Sequence, residues 1–163
     1  MTETDGLLKH ARDYAERFDK QDLSMMPSKR VAVLACMDTR LIPSRILGLN
    51  EGEAHILRNA GGTVTDDAIR SLSLSQNLLG TEEIILLHHT ECGMLGITDE
   101  EYADRMEAET GERPEWSAHA FSDLEQDLRD SMARLRESPF IPRKSSIRGF
   151  IFDVKTAELR EVS

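Results

Sequence analysis

The sequence predicts an α/β domain with a mainly parallel central β-sheet flanked by helices, and three observations carry that expectation. Val31-Ala32-Val33-Leu34-Ala35, Ala54-His55-Ile56-Leu57 and Ile84-Ile85-Leu86-Leu87 are short apolar runs of the kind that parallel strands covered on both faces require. Helical patterns separate them, so each strand is joined to the next by a crossover. The chain has 163 residues, 39% of them hydrophobic, which is enough to bury one core without disulfides.

Residues 7–18 set Leu7, Leu8, Ala11, Tyr14, Ala15 and Phe18 at intervals of three and four, an amphipathic helix whose stripe needs a surface to cover. The polar stretch 20–30, with Pro27, detaches this helix and leaves it free to reach a second subunit. One domain over 1–163 is therefore expected, with a helical arm and linker over 1–30 and a core over 31–163. Pro43 opens a short helix that runs to Leu49. The second strand is followed by the Gly61-Gly62 turn, and Thr65-Asp66-Asp67 caps a helix over 68–79 that Gly80 closes. After Met94 the chain turns polar and acidic, and Gly111-Glu112-Arg113-Pro114 reads as an irregular surface excursion. Ser117 is the expected cap of a helix carrying Phe121, Leu124, Leu128, Met132 and Leu135, stopped at Ser138-Pro139. Gly149-Phe150-Ile151-Phe152-Asp153-Val154 reads as a strand, with 158–162 folding back as an edge.

Charge and composition narrow the function. The formal net charge of -10 repels phosphate backbones, which excludes nucleic acid as a general partner. No apolar run approaches the roughly 18 residues of a membrane span. The acidic start Met1-Thr2-Glu3-Thr4-Asp5 lacks the pattern of a secretory signal, so the cytoplasm is the expected address. Two cysteines, Cys36 and Cys92, make no disulfide framework.

Both cysteines fall where a site belongs. Cys36-Met37-Asp38-Thr39-Arg40 follows the first strand, and His89-Thr90-Glu91-Cys92-Gly93 follows the third. Ligands in open parallel sheets bind beyond the carboxyl ends of the strands. A cysteine alone at a strand end reads as a small buried apolar residue. Two of them with a histidine make a set of two thiolates and one imidazole, which suits zinc and leaves a fourth position open.

At these residues the sequence resembles the β-carbonic anhydrases, whose ligands lie in a Cys-x-Asp-x-Arg segment and a later His-x-x-Cys-Gly segment. The match selects Cys36, Asp38, Arg40, His89, Cys92 and Gly93. Arg58-Asn59-Ala60-Gly61-Gly62 is similar to the family's Arg-Asn-Ala-Gly turn, and the strand at 149–154 to its last core strand. Met37 and Thr39 stand where the most frequent form has serine, and the chain is shorter than plant-type members, which points to a compact prokaryotic subgroup. The resemblance picks His89 over its neighbour His88, which is left to packing or hydrogen bonding. His10, His55 and His119 have no such neighbours and take surface or structural roles. What the resemblance implies is a zinc lyase, carbonate dehydratase, that hydrates carbon dioxide to bicarbonate and a proton and works as a homodimer or larger homo-oligomer.

Zinc makes hydroxide available near neutral pH, an effect for which carbonic anhydrases with three histidine ligands are the standard example. Two thiolates make the ion here a weaker Lewis acid. Asp38 is the expected aid, accepting a hydrogen bond from the attacking group, with Arg40 holding the carboxylate through paired donors. The resemblance also implies a closed state in which Asp38 becomes a fourth ligand. Two other readings keep the ligands and change what they do. One is hydrolysis of carbon disulfide or carbonyl sulfide; the other is a zinc-stabilised binding or regulatory protein in which Asp38 closes the site permanently. A redox pair ranks last, because Cys36 and Cys92 lack the Cys-x-x-Cys spacing.

Overall fold

The computed structural model describes residues 2–163, so Met1 of the acidic start lies outside the described residues. Four strands follow the chain as the apolar runs require: β1 (Val31–Cys36), β2 (Ala54–Asn59), β3 (Glu83–His89) and β4 (Ile147–Phe152), with β5 (Leu159–Val162) returning at the edge. They form one five-stranded sheet in the order β2-β1-β3-β4-β5. All neighbours are parallel except β4 and β5, which are antiparallel. The α/β fold class with its mainly parallel sheet is thus the one expected.

Strand order decides where a site can form. The chain leaves β1 for β2 on one side, then returns across β1 to place β3 on the other, so the topology reverses between β1 and β3. A crevice opens at such a switch point beyond the carboxyl ends of the two strands. There the pairing Ala35 with Leu87 puts Cys36 and His88-His89 side by side.

Alternation along β1 divides the core. Ala32 and Leu34 face α3 (Asp66–Asn77) and α5 (Leu124–Glu137), where Leu72, Leu86, Leu128 and Leu135 complete one apolar layer. Val33 and Ala35 face the opposite layer, with Leu41, Leu87, Phe121 and Phe152, and Cys36 joins that layer at the strand's end, where alternation stops. Pro43 is buried at the start of the short α2 (Pro43–Ile46), which ends three residues before the expected Leu49. Thr65 caps α3 by accepting from the amide of Ala68.

Two stretches depart from the sequence reading. The polar run after Met94 forms α4 (Asp99–Thr110), capped by Thr98 and Glu101 in a reciprocal box. Ser117 caps nothing: α5 begins seven residues later, with Asp123 accepting from the amides of Glu125 and Gln126. Phe121 has helical spacing to Leu124 and Leu128, but its amide donates to the carbonyl of Met94, so it belongs to the loop.

The N-terminal helix α1 (Glu3–Ala15) has no buried residue, and Leu7 is 67% exposed. It is tied to the core by Glu51, which accepts from the hydroxyl of Tyr14 at 2.6 Å and from Lys20 at 2.5 Å. No described helix is long and apolar enough to cross a membrane.

Candidate metal centre at the switch point

The end of β1 delivers Cys36 and the end of β3 delivers His89. A turn through Thr90 and Glu91 then brings back Cys92. The two sulfurs lie 4.0 Å apart, and the ligand atoms of all three residues lie within 4.8 Å of one another. Cys36, His89 and Cys92 are buried, His89 completely. On neighbouring strand positions His88 and His89 point to opposite faces. His88 turns to α5, where its Nε2 meets Asp127 at 2.7 Å and its ring stacks on Phe121. His89 turns to the cysteines.

The orientation of His89 is set by its own backbone neighbour. Nδ1 lies 2.9 Å from the carbonyl oxygen of Thr90, which can only accept, so Nδ1 carries the proton. Nε2 is then a bare lone pair, and it is a buried atom without a hydrogen-bond partner. An orphaned acceptor beside two thiols is a site for a cation. Two sulfurs on one tetrahedral zinc at about 2.3 Å each would stand about 3.8 Å apart, close to the spacing found here. The residues present fit zinc.

Electrostatics agree with that fit. The thiol of Cys36 is pushed down to about 4, first because Cys92 hydrogen-bonds to its thiolate and then because of His89, against the opposing effect of burial. Cys92 is pushed upward, since its thiol donates the hydrogen bond to the Cys36 thiolate, and burial adds to this. Burial pulls His89 down, but the nearby Cys36 thiolate, the Thr90 carbonyl and the Asp38 carboxylate together more than offset it, and the ring ends above its ordinary value. Without a cation the cluster stabilises a single negative charge; a divalent ion is what would let both sulfurs ionise.

Asp38 and Arg40 border the cluster. Arg40 donates from Nε to Asp38 Oδ1 at 2.9 Å and from NH2 to Oδ2 at 2.7 Å, and its amide donates to Oδ1 at 2.9 Å. The Arg40 guanidinium therefore holds the Asp38 carboxyl well below the usual carboxylate range. Oδ2 lies 3.8 Å from Nε2 of His89, so the carboxylate faces the atom that lacks a partner.

Residue Arg58 supports the loop in a way the sequence did not reveal. Its Nε donates to the carbonyl of Cys36 at 3.0 Å and its NH2 to that of Asp38 at 2.7 Å. The only available signal was its place in the Arg-Asn-Ala-Gly turn. Gly62 gives the same turn its close approach to the sheet. Its φ is +72°, and a β-carbon there would stand 2.8 Å from the Cys36 amide nitrogen, so only glycine lets this backbone lie against the end of β1. His55 is structural, meeting the hydroxyl of Ser75 at 2.7 Å, and His10 is exposed.

Beside the cluster lies a cavity of about 550 Å³ whose wall includes Met37, Asn59, Met94, Tyr102, Trp116 and His119. Its lining is mostly apolar, and it includes Met37 and Met94, which follow Cys36 and Cys92 closely in the chain, but none of the three ligands.

Comparison with known proteins decides the family. The carbonic anhydrase family model matches residues 31–139, from the first strand to the end of α5. The chain belongs to the β-carbonic anhydrases. It is 53% identical to β-carbonic anhydrase 1 of Mycobacterium tuberculosis over 163 residues, covering all of this chain and 99% of that one. Among solved structures, the carbonic anhydrase of Streptococcus mutans superposes with a TM-score of 0.94 at 41% identity, over 100% of this chain and 99% of that one. A carbon disulfide hydrolase of an Acidianus strain is 38% identical over 96% of this chain and 87% of its own length. β-Carbonic anhydrases are zinc lyases, and the Cys36, His89, Cys92 cluster is this member's candidate metal centre.

Proposed function

We propose that this β-carbonic anhydrase catalyses the reversible hydration of carbon dioxide to bicarbonate and a proton, with zinc held by Cys36, His89 and Cys92. The observation that carries the reading is the buried, unpartnered Nε2 of His89 facing two thiols 4.0 Å apart. Zinc bound there supplies a Lewis acid that makes hydroxide available near neutral pH, as in the carbonic anhydrases that are the standard example.

The residues of the chain do the rest. Thr90 fixes the His89 tautomer, so the imidazole is already oriented for a cation. Asp38 stays ionised across the neutral range because Arg40 holds it, and an ionised carboxylate accepts a hydrogen bond from the attacking hydroxyl group and aims its lone pair. Arg40 keeps that carboxylate in place through two parallel N–H donors. Released from Arg40, Asp38 lies within reach of the same cluster and becomes the fourth ligand of a closed state. The catalytic core spans 31–163 and the arm 1–30 serves assembly: the exposed Leu7, Leu8 and Tyr14 support a homodimer or larger homo-oligomer in which α1 packs on a second copy. The address we propose is the cytoplasm, supported by the acidic composition of the chain.

A second reading shares the site and changes the substrate. Relatives named carbon disulfide hydrolases reach 38% identity, and the same ligand set would serve either linear molecule. Assaying one zinc-loaded preparation for proton release from carbon dioxide and for hydrogen sulfide release from carbon disulfide separates the two. Rapid proton release with no sulfide supports hydration, and sulfide as the major product would replace it with the second reading.

A further inference from the structure

We infer that Glu91 is a positioning residue for the Asp38 and Arg40 pair: it fixes the far edge of the Arg40 guanidinium and so keeps Asp38 off the metal position. This deepens the reading above and rests on it.

Asp38 occupies Nε and one N–H of NH2 on Arg40. Glu91 takes two of the three N–H groups that remain. NH1 donates to its Oε2 at 3.4 Å, and NH2 donates to its carbonyl oxygen at 3.1 Å. The guanidinium thus sits between two acidic residues that do not compete for the same proton. On its outer side Glu91 pairs with Lys155, from the turn between β4 and β5, so the charges of Asp38, Arg40, Glu91 and Lys155 alternate from the cluster to the surface.

Backbone geometry gives an independent sign. Glu91 has φ +56°, in the left-handed region where a residue with a β-carbon is strained and glycine is not. Glycine would make the turn between His89 and Cys92 with less strain but would bring no carboxylate. A strained residue that grips Arg40 from both main chain and side chain is placed as a positioning role requires. The grip has something to prevent. Arg40 is 43% exposed, and Asp38 Oδ2 lies only 3.8 Å from the bare Nε2 of His89, so a guanidinium free to swing into water would release a carboxylate already beside the cluster.

The test uses the full-length protein loaded with cobalt, whose visible spectrum reports azide binding at the open position. Wild type, Glu91→Gly, Glu91→Gln, Asp38→Ala and the Asp38→Ala/Glu91→Gly pair are titrated with azide, and their melting temperatures are measured. Glu91→Gly is expected to melt no lower than wild type, because backbone strain is relieved, yet to bind azide roughly two- to fivefold more weakly, the range of an exposed ion pair. Glu91→Gln shifts in the same direction by less. Loss of a negative charge alone would tighten anion binding, so weakening points to Asp38 competing for the position. In the Asp38→Ala background Glu91→Gly should weaken nothing. Unchanged or tighter binding in Glu91→Gly, with tighter binding in Asp38→Ala, would overturn the role of Glu91 alone. Azide affinity unchanged in Asp38→Ala would overturn the reading of Asp38 and this inference with it.

Discussion

The carboxyl end of the sheet and the N-terminal arm use their side chains in opposite ways. At the sheet end every feature is fixed by the chain itself: Cys36, His89 and Cys92 are buried, Thr90 orients the imidazole, and Arg58 pins the loop that carries Asp38. Helix α1 of the arm buries nothing. Its apolar stripe faces outward, and Glu51 supplies its main polar tie to the core. Polar surface contacts of that kind contribute at most about 1 kcal/mol each, too little to hold a helix of 13 residues in place. The contrast teaches that one chain brings the three candidate ligands and their supports together, while the apolar stripe of α1 is left uncovered by the described residues.

Breaking the sheet end should have the largest effect. His89→Ala removes the one imidazole of the cluster, and purified protein is expected to carry well under one zinc per chain with hydration at the uncatalysed rate, checked by metal analysis and stopped-flow assay. A variant that kept both zinc and activity would remove His89 from the site. Gly62→Ala attacks the same region through packing. Its β-carbon would stand 2.8 Å from the Cys36 amide nitrogen at φ +72°, and a loss of about 2–3 kcal/mol in urea unfolding is expected.

The arm should respond differently. Leu7→Asp with Leu8→Asp places charge on the exposed stripe, and the unfolding free energy of the subunit's own core should move by less than about 0.5 kcal/mol, since neither residue is buried there. Sedimentation should show a smaller assembly than wild type. An unchanged assembly would deny the arm its role, and a collapse of the core would mean the two regions are not separable.

The smallest effect belongs to Asp99, at the start of α4. The Ser117 hydroxyl and then the Ala120 amide hold its carboxyl below the ordinary value of 3.8. A lowered carboxylate contributes stability that is present above the unfolded value and lost as pH falls through the folded one. Asp99→Asn should therefore cost about 0.5 kcal/mol at neutral pH, allowing for solvent screening, and nothing once the wild-type carboxyl is protonated in acid. Urea titrations at about pH 7 and at successive steps below about pH 4, where the loss begins, measure the difference.

How much was legible follows the same division. β1 and β3 were readable because strands buried on both faces are apolar throughout, β2, a half-buried edge strand, because a short apolar run precedes its Gly61-Gly62 turn, and the ligand residues because they stand directly at two strand ends. α4 was missed because it has no buried residue and hence no apolar stripe. Its one signal was the cap, Thr98 with Glu101 three residues on. Ser117 was misread because Phe121 falls at helical spacing by coincidence, while the amides that need a cap lie beyond Asp123. The supports of the site were invisible for a different reason. Arg58 reaches the Cys36 carbonyl across 22 residues of sequence and Arg40 reaches Glu91 across 51, and no periodicity reports a contact at that range.

The most direct test of the central claim is a metal titration of activity: zinc is stripped with a chelator, returned in steps, and carbon dioxide hydration is followed by stopped flow at each step. Activity that vanishes with the metal and returns in proportion to zinc, levelling at about one ion per chain as a three-ligand site with an open position requires, is the result the account predicts. Chains that take up one zinc each and hydrate no carbon dioxide would contradict it.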